Sequence, residues 1–241
     1  MEWFFIIIVG LCFGSFANVL IVRLPSNESI AFPASHCPKC KHKLRIYHNI
    51  PLLSYIFLGG KCAFCKKPIS IVYPLVELSS AIIFTLIFYK LGITVFAIFT
   101  SLAFLLLLVL SIIDMKTLMA SDSVNFSALA FAIFSSGSFV DNATNALLLA
   151  GALSLLRMGL SSLLKKEAMG EGDIILGATM GALLGAKGAL LALFIAALAA
   201  LLPALYNRRN NQAETPFIPY LSFGTLVVFI FEQRLFDLLG W

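Results

Sequence analysis

Charged residues are scarce in this chain of 241 residues: Asp, Glu, Lys and Arg together make up 12%, whereas hydrophobic residues make up 60%. A soluble globular domain carries about a quarter charged residues, so this composition excludes that class. The mean hydropathy of +0.98, with several apolar stretches of the roughly 20 residues that cross a bilayer, predicts an all-α polytopic membrane protein. The net charge of +5 is a property of the loops, where basic residues set the orientation of the helices in the membrane. It does not indicate nucleic-acid binding.

The N-terminal stretch lacks the basic segment of a cleavable signal peptide, so we expect residues 1–22 to be retained as the first transmembrane helix. Gly10, Gly14 and Ser15 share one face of that helix, a pattern that permits close helix packing in lipid. Asn18 is a polar residue in the same apolar stretch and must find a partner, which makes it a weak candidate for a site.

We expect about eight transmembrane helices, with predicted spans at 3–22, 69–89, 93–113, 123–134, 143–164, 174–187, a seventh ending near residue 206, and 217–239. Basic residues crowd residues 23–70 and return at Lys165-Lys166 and Arg208-Arg209, which places these loops in the cytoplasm and the N-terminus outside. Lys90 and Lys187 are isolated exceptions on the outer side.

Four of the five cysteines form two CxxC pairs in the segment 23–70, Cys37 with Cys40 and Cys62 with Cys65. Two such knuckles can complete a tetrahedral zinc site, and four thiolates leave no open position, so the predicted metal is structural. The alternative is a redox pair or unmetallated thiols. A reducing cytoplasm disfavours disulfides, so zinc is favoured for this spacing. We therefore predict a cytoplasmic zinc-knuckle loop between the first and second transmembrane helices.

Two aspartates lie at the ends of apolar stretches. Asp173 follows Gly170 and Gly172 in a Gly-Glu-Gly-Asp sequence, and Asp114 ends the third predicted span. The predicted topology puts both at the cytoplasmic edge of the membrane at matching depth. Two neighbouring carboxylates share one proton, as in the aspartic proteases, where the pair activates water. An acidic first turn of a helix and a cation-binding pair in a transporter remain alternatives.

Two further acids are weaker candidates. Glu77 lies in the second predicted span, where it is either a polar anchor at the cytoplasmic side or part of a site. Asp122 lies in the loop that follows Asp114.

Several motifs occur in the order typical of one family, and together they extend over nearly the whole chain. They are Gly14-Ser15-Phe16-Ala17-Asn18-Val19 through Arg23-Leu24-Pro25, the two CxxC pairs, Asn49-Ile50-Pro51-Leu52-Leu53-Ser54-Tyr55, Tyr73-Pro74-Leu75-Val76-Glu77, Ile113-Asp114 and Met169-Gly170-Glu171-Gly172-Asp173. The chain resembles the type IV prepilin peptidases, bifunctional leader peptidases and N-methyltransferases of the bacterial inner membrane.

That resemblance implies a GxGD membrane aspartic protease with Asp114 and Asp173 as its catalytic dyad. It implies cleavage of the basic leader from prepilins or pseudopilins at the cytoplasmic face, then methylation of the new N-terminus from S-adenosylmethionine, with the cysteine loop associated with methyl transfer. On this interpretation, 1–22 is the first helix, 23–70 the loop domain and 71–241 the membrane peptidase core. Partners would be the lipid bilayer, the substrates, and pilus or secretion assembly machinery.

Three positions depart from the family pattern: Ile175 replaces a lysine, Ala120-Ser121-Asp122 replaces Leu-Pro-Asp, and Val72 replaces an arginine. A missing cation near the dyad would alter its proton affinity or the docking of substrate. The sequence also has no glycine-rich nucleotide loop that would announce a methyl-donor site. A cation-coupled transporter and a non-enzymatic assembly module that binds a pilus or secretion ATPase are the competing hypotheses.

Overall fold

The computed structural model describes residues 1–165, 169–209 and 215–240. These residues form α-helices and short 3-10 turns, and they contain two isolated β-bridges but no β-strand. In chain order the α-helices are α1 (Glu2–Arg23), α2 (Leu53–Phe57), α3 (Val72–Leu91), α4 (Val95–Thr117), α5 (Asp122–Ile133), α6 (Phe139–Leu164), α7 (Glu171–Arg209) and α8 (Ile218–Leu239). The all-α class predicted from the sequence is confirmed.

Five helices in the described residues are long and apolar enough to cross a membrane: α1, α3, α4, α6 and α7. The multi-pass architecture follows from these five alone. The helix α5 is apolar but has only 12 residues, which is about 18 Å of helix against a hydrocarbon thickness of about 30 Å. The number eight therefore stays a prediction.

The sequence predicts a sixth and a seventh span that are separated near Lys187, whereas the structure has one element, α7, through this region. The helical geometry breaks at Gly185, which has φ 69° and ψ 174°, so α7 consists of two helical parts joined at a kink. Glycine is the residue that adopts this backbone conformation without steric strain. Lys166 lies outside the described residues.

The chain divides into two compact units, Met1–Tyr89 and Lys90–Trp241. In the N-terminal unit, α1 packs closely against α3 through its small residues. A Cβ atom on Gly10 would lie 2.7 Å from the Cα of Ala81, and one on Gly14 would lie 2.6 Å from the Cα of Glu77. The packing role expected for these glycines is confirmed, since any larger side chain would force the two helices apart.

In the C-terminal unit, α4 packs against α5 and α8, while α7 packs against α5, α6 and α8. Glycines again allow close approach, because a Cβ on Gly181 or Gly224 would lie 2.5 Å from a backbone oxygen of the neighbouring helix. On its other face α6 exposes large apolar side chains: Leu147, Leu148, Leu155 and Leu163. Such a face fits contact with lipid.

Lys90, an isolated cation in the predicted outer loops, forms an ion pair with Glu232 of α8 at 3.1 Å. Its ammonium group also donates to the carbonyl oxygen of Phe229 and lies 4.5 Å from the centre of that ring. Glu232 of α8 therefore neutralises the charge of Lys90, so this lysine contributes little to the charge difference that sets the membrane orientation.

Candidate functional site

Asp114 lies in the last turn of α4, directly after a buried apolar stretch. Its side chain is buried, and its Oδ2 accepts a hydrogen bond from the backbone N–H of Ile218 at 3.1 Å. Ile218 is the first residue of α8, where backbone N–H groups have no partner within the helix. The carboxylate therefore caps α8, and this contact fixes its orientation.

Asp173 lies in the first turn of α7, three residues after Gly170, and is partly buried. Its Oδ2 accepts a hydrogen bond from the backbone N–H of Gly170 at 3.3 Å. An acid at this position that reaches back to the residue preceding the helix forms one half of a capping box. The charge of Asp114 acts on Asp173, so the two carboxylates lie within electrostatic reach of each other.

Gly172 packs against Ala120 in the turn that precedes α5. A Cβ atom on Gly172 would lie 2.4 Å from the Cβ of Ala120, whereas a Cβ on Gly170 would lie 3.5 Å from the Asp173 carboxylate. The first distance is far inside van der Waals contact and the second is ordinary. Space therefore demands a glycine at 172 but not at 170, although the sequence motif contains both.

On the leader-peptidase hypothesis that the family resemblance implies, Gly172→Ala should reduce leader cleavage about 100-fold, because a displacement of about 1 Å at a reacting group costs on that order. Gly170→Ala is the matched control and should stay within about threefold of the parent enzyme. The measurement is the cleavage rate of a purified prepilin substrate. Since Ala120 supplies the obstructing atom, the double variant Ala120→Gly with Gly172→Ala should recover most of the rate, and a double variant as slow as Gly172→Ala would contradict this explanation.

Asn125 of α5 is a residue that the sequence analysis missed. Its side chain is fully buried, and its Nδ2 donates to the carbonyl oxygen of Gly172 at 2.8 Å. Its Oδ1 has no hydrogen-bond partner in the described part of the chain. A buried amide with one free oxygen is unusual, and its placement beside the glycine-aspartate turn indicates a positioning role. A lone asparagine within an apolar stretch was the only signal in the sequence.

On the same leader-peptidase hypothesis, replacing Asn125 with leucine should lower kcat for leader cleavage about 10-fold and leave KM nearly unchanged, because the Gly172 carbonyl loses a buried partner worth roughly 1–3 kcal/mol. The matched control is Asn142→Leu, which removes a similar buried hydrogen bond to the carbonyl of Ile133 at 2.9 Å. Thermal stability should fall in both variants and kcat only in the first. Equal effects on kcat would leave Asn125 with a structural role alone.

The remaining weak candidate, Asp122, and two of the three departures from the family pattern belong to the same unit as the two aspartates, whereas Val72 belongs to the N-terminal unit. Asp122 is exposed in the first turn of α5, next to Ser121, whose hydroxyl lies 3.2 Å from that of Ser123. Ile175 is partly buried in α7, and Val72 begins α3. Arg157 of α6 forms an ion pair with Glu171 at 3.3 Å. Glu171 precedes Asp173 by two residues in the chain.

The four cysteines predicted as metal ligands come together in the N-terminal unit. Their sulfur atoms all lie within 4.8 Å of one another, and the Sγ atoms of Cys37 and Cys65 are 4.0 Å apart. A tetrahedral zinc site with bonds of about 2.3 Å requires sulfur–sulfur distances of about 3.8 Å. The cluster can therefore hold a metal ion of this size after small adjustments.

The two knuckles share one backbone design. In each knuckle, the backbone carbonyl oxygen of the first cysteine accepts a hydrogen bond from the backbone N–H of a lysine four residues later. The distance is 2.8 Å for Lys41 and 3.0 Å for Lys66, and both lysines have a φ of 58°. Backbone N–H groups of Cys65 and Phe64 lower the pKa of Cys62 to about 6. This shift favours the thiolate, the form of cysteine that binds a metal, at one position of the cluster, whereas the pKa of Cys40 is raised to about 11.

The other two weak candidates belong to the N-terminal unit and hold backbone there. Asn18 is buried and donates from Nδ2 to the carbonyl oxygen of Tyr73 at 3.0 Å. Glu77 is also buried, and its Oε2 accepts from the backbone N–H of Leu52 at 2.8 Å. Both interactions join segments that are far apart in the chain, so the sequence alone could not reveal the partners.

Two family descriptions match the chain. Residues 8–91 match the Bacterial Peptidase A24 N-terminal domain, and residues 101–205 match the Type IV leader peptidase family. Each match contains one of the two arrangements described above, the cysteine cluster in the first and the two aspartates in the second.

Curated relatives give the same result over longer alignments. A Neisseria gonorrhoeae prepilin leader peptidase/N-methyltransferase is 30% identical, with 97% of this chain and 92% of the relative covered. The Escherichia coli type 4 prepilin-like proteins leader peptide-processing enzyme is 34% identical, with 94% and 93% covered. A Myxococcus xanthus prepilin leader peptidase/N-methyltransferase is 35% identical over 75% of this chain, which spans 55% of that longer protein. No solved structure gives a significant match.

Proposed function

Because this chain belongs to the type IV leader peptidase family, we propose that it is a membrane aspartic endopeptidase for type IV prepilins or pseudopilins. It removes the basic leader peptide and then methylates the new N-terminal amine from S-adenosylmethionine. The names of the relatives describe enzymes, which supports this hypothesis over the transporter and the non-enzymatic assembly module.

The observation that supports the peptidase proposal is that Asp114 and Asp173, buried and partly buried, lie within electrostatic reach of each other. On this proposal the two carboxylates approach each other in the enzyme and hold one proton between them. The ionised member takes a proton from water as the water oxygen attacks the scissile carbonyl. The protonated member donates to the carbonyl oxygen, and the tetrahedral intermediate then collapses as the leaving amine takes a proton.

The backbone contacts of the pair explain why it is preorganised. The N–H of Ile218 orients Asp114, and the N–H of Gly170 orients Asp173, so each carboxylate keeps one oxygen engaged with a fixed helix end. Preorganised groups need little rearrangement during reaction. The basic leader of a substrate would be attracted to this acidic pair.

We place the active site at the cytoplasmic face of the bacterial inner membrane, with the N-terminus outside. Eight crossings result if α5, α8 and the two parts of α7 are counted separately. The basic residues of 23–70 support this orientation. Partners beyond the bilayer and the substrates, such as pilus or secretion assembly machinery, would meet the protein on the same side.

The metal of the N-terminal unit is zinc on this proposal. The ligands would be Cys37, Cys40, Cys62 and Cys65, and the ion would cross-link the two knuckles. A closed set of four thiolates gives the ion a structural role, so no step of peptide cleavage depends on it.

The direct test uses the purified protein in nanodiscs with a full-length prepilin and labelled S-adenosylmethionine, and reads the mass of the product. We expect loss of the leader together with gain of one methyl group. Loss of the leader alone would reduce the function to that of a peptidase, and an intact substrate would reject the proposal.

A further inference from the structure

The short helix α2 and the residue before its first turn expose large apolar side chains. Ile56 is 69% exposed and Phe57 is 84% exposed. Two further exposed residues complete this surface, which we call the α2 face: Ile50 and Leu53. Exposure of several large apolar side chains to water is unfavourable, so a surface of this kind marks contact with another apolar medium.

The opposite side of α2 is turned toward the N-terminal unit. Ser54, Tyr55 and Leu58 are each partly buried, and all three line a cavity of that unit. The Ser54 hydroxyl donates to the carbonyl oxygen of Ile50 at 2.7 Å, and the backbone N–H of Gly60 donates to the carbonyl oxygen of Tyr55 at 2.9 Å. These contacts give α2 one orientation, in which the α2 face points outward.

A hydrogen bond fixes the level of α2 along α3. The backbone N–H of Leu52 donates to Oε2 of Glu77 at 2.8 Å. Glu77 is the sixth residue of α3, so it lies about 7.5 Å along the helix from Val72. With 20 residues, α3 is about 30 Å long, which is about the thickness of the hydrocarbon core. Leu52 therefore lies close to the boundary between hydrocarbon and lipid headgroups, and α2 starts at the next residue.

The chain around α2 carries charge of one sign. Residues 29–70 contain no Asp or Glu and seven basic residues, all of them exposed: Lys39, Lys41, Lys43, Arg45, Lys61, Lys66 and Lys67. The nearest acids in the chain are Glu28, which is exposed, and Glu77, which is buried. Arg23 adds nothing to this surface, because it is buried and donates to the carbonyl oxygens of Ser29 and Pro33 at 2.8 and 2.6 Å. Exposed cations beside an apolar face match an anionic lipid surface.

We propose that α2 is an interfacial membrane anchor: Ile56 and Phe57 enter the acyl region of the leaflet beside α3, and the exposed lysines of the two knuckles lie at its headgroups. The segment is already attached to the membrane at both ends, since α1 ends at Arg23 and α3 begins at Val72. Insertion therefore extends the lipid contact of these two helices. A second copy of the chain would bring the same seven cations to the contact, and their repulsion favours lipid as the occupant. The anchor goes beyond leader cleavage and methylation and depends on neither.

The test places a fluorescent probe on the α2 face of the full-length protein. Phe57→Trp is made in a chain that also carries Trp3→Phe and Trp241→Phe, and the protein is reconstituted in nanodiscs with and without phospholipids that have brominated acyl chains. Bromine quenches an indole only at short range, so the Phe57→Trp variant should show blue-shifted emission and lose most of its intensity in the brominated discs. Phe64→Trp in the same background is the matched control. Phe64 is an exposed residue of the second knuckle whose ring centre lies 3.6 Å from that of His42, so this variant should keep its intensity.

A second measurement follows release of the anchor by proteolysis. Lys61 is exposed and follows α2 by four residues, so trypsin cleavage after it should be slow while α2 is inserted. In nanodiscs that contain phosphatidylglycerol, Phe57→Ser should raise the initial rate of this cleavage about 10-fold to 100-fold, which is the effect of losing one inserted phenylalanine. Phe57→Leu keeps an apolar side chain and should stay within about threefold of the parent protein. Since Phe57 is largely exposed, thermal stability should be unchanged in both variants.

The outcomes distinguish lipid from the other possible occupants. Unquenched, red-shifted emission of the Phe57→Trp variant would show that the α2 face lies in water, and blue-shifted emission without quenching would show contact with protein, such as a second copy of the chain. Equal quenching of Phe57→Trp and Phe64→Trp would show that the knuckles lie in lipid without a specific anchor at α2. Each of these results, or equal proteolysis of Phe57→Ser and the parent protein, would overturn the proposal. None of them bears on the proposed enzymatic function, which is measured separately with prepilin.

Discussion

Replacing Asp114 or Asp173 with asparagine is expected to lower the rate of leader cleavage by at least about 10³-fold, because each variant removes one of the two groups that transfer protons in the proposed mechanism. The fold should survive in both variants. An asparagine oxygen at 114 can still accept the N–H of Ile218, and one at 173 can still accept the N–H of Gly170. Single-turnover cleavage of a purified prepilin, with thermal stability measured in parallel, gives the result.

The effects of the two substitutions should not add. Once either carboxylate is lost the pair cannot share a proton, so the double variant should cleave no more slowly than the single variants. The matched control is Asp141→Asn, an exposed acid in the first turn of α6, just as Asp173 lies in the first turn of α7. Cleavage above about a tenth of the parent rate in either dyad variant would be incompatible with the proposed mechanism.

The sequence revealed the features of this protein that depend on local spacing. Two CxxC pairs imply a metal site because a three-residue step brings both sulfurs of a pair to one side of a tight turn, and the structure brings all four sulfurs together. Asp114 and Asp173 could be singled out because each ends or begins an apolar stretch, where an ionisable residue is expensive. That the two approach each other stays a prediction, and it came from the topology, which places both at the same depth in the membrane.

The features that the sequence did not reveal are contacts between distant segments. Asn125 reaches Gly172 across 47 residues, Asp114 reaches Ile218 across 104, and Glu77 reaches Leu52 across 25. In each case one partner is a backbone group, which is chemically the same at every residue. Only the packing of the helices decides which backbone group is within reach, so no pattern in the side chains identifies it.

The number of spans was hard to predict for a related reason. Gly185 lies inside a long apolar stretch, and hydropathy does not distinguish two short helices from one long helix with a kink. The predicted break near Lys187 came within two residues of the kink because a charge and several glycines cluster there. The continuous course of α7 beyond it could be seen only in the structure.

Loss of a single cysteine of the cluster is the second prediction with a large effect. Cys62→Ser should reduce bound zinc from about one ion per chain to a small fraction of that amount. Structural zinc sites bind with about 10–16 kcal/mol, so one of four ligands is worth roughly 3 kcal/mol, which is about 100-fold in affinity. On the zinc proposal the ion cross-links the two knuckles, so residues 24–70 should become sensitive to protease when the metal is lost. Metal analysis and limited proteolysis of the protein in nanodiscs measure the two effects.

Cys12→Ser is the control, because Cys12 is an exposed residue of α1 and is not a member of the cluster. It should keep the zinc content and protease resistance of the parent protein. Chelation of the parent protein should reproduce the Cys62→Ser result, and restored zinc should reverse it only where all four thiols are present. A parent protein that contains no zinc after purification under reducing conditions, yet keeps residues 24–70 resistant to protease, would show that the four thiols hold the knuckles together without a metal. The cluster would then have no structural ion, and the approach of the sulfurs would reflect packing alone.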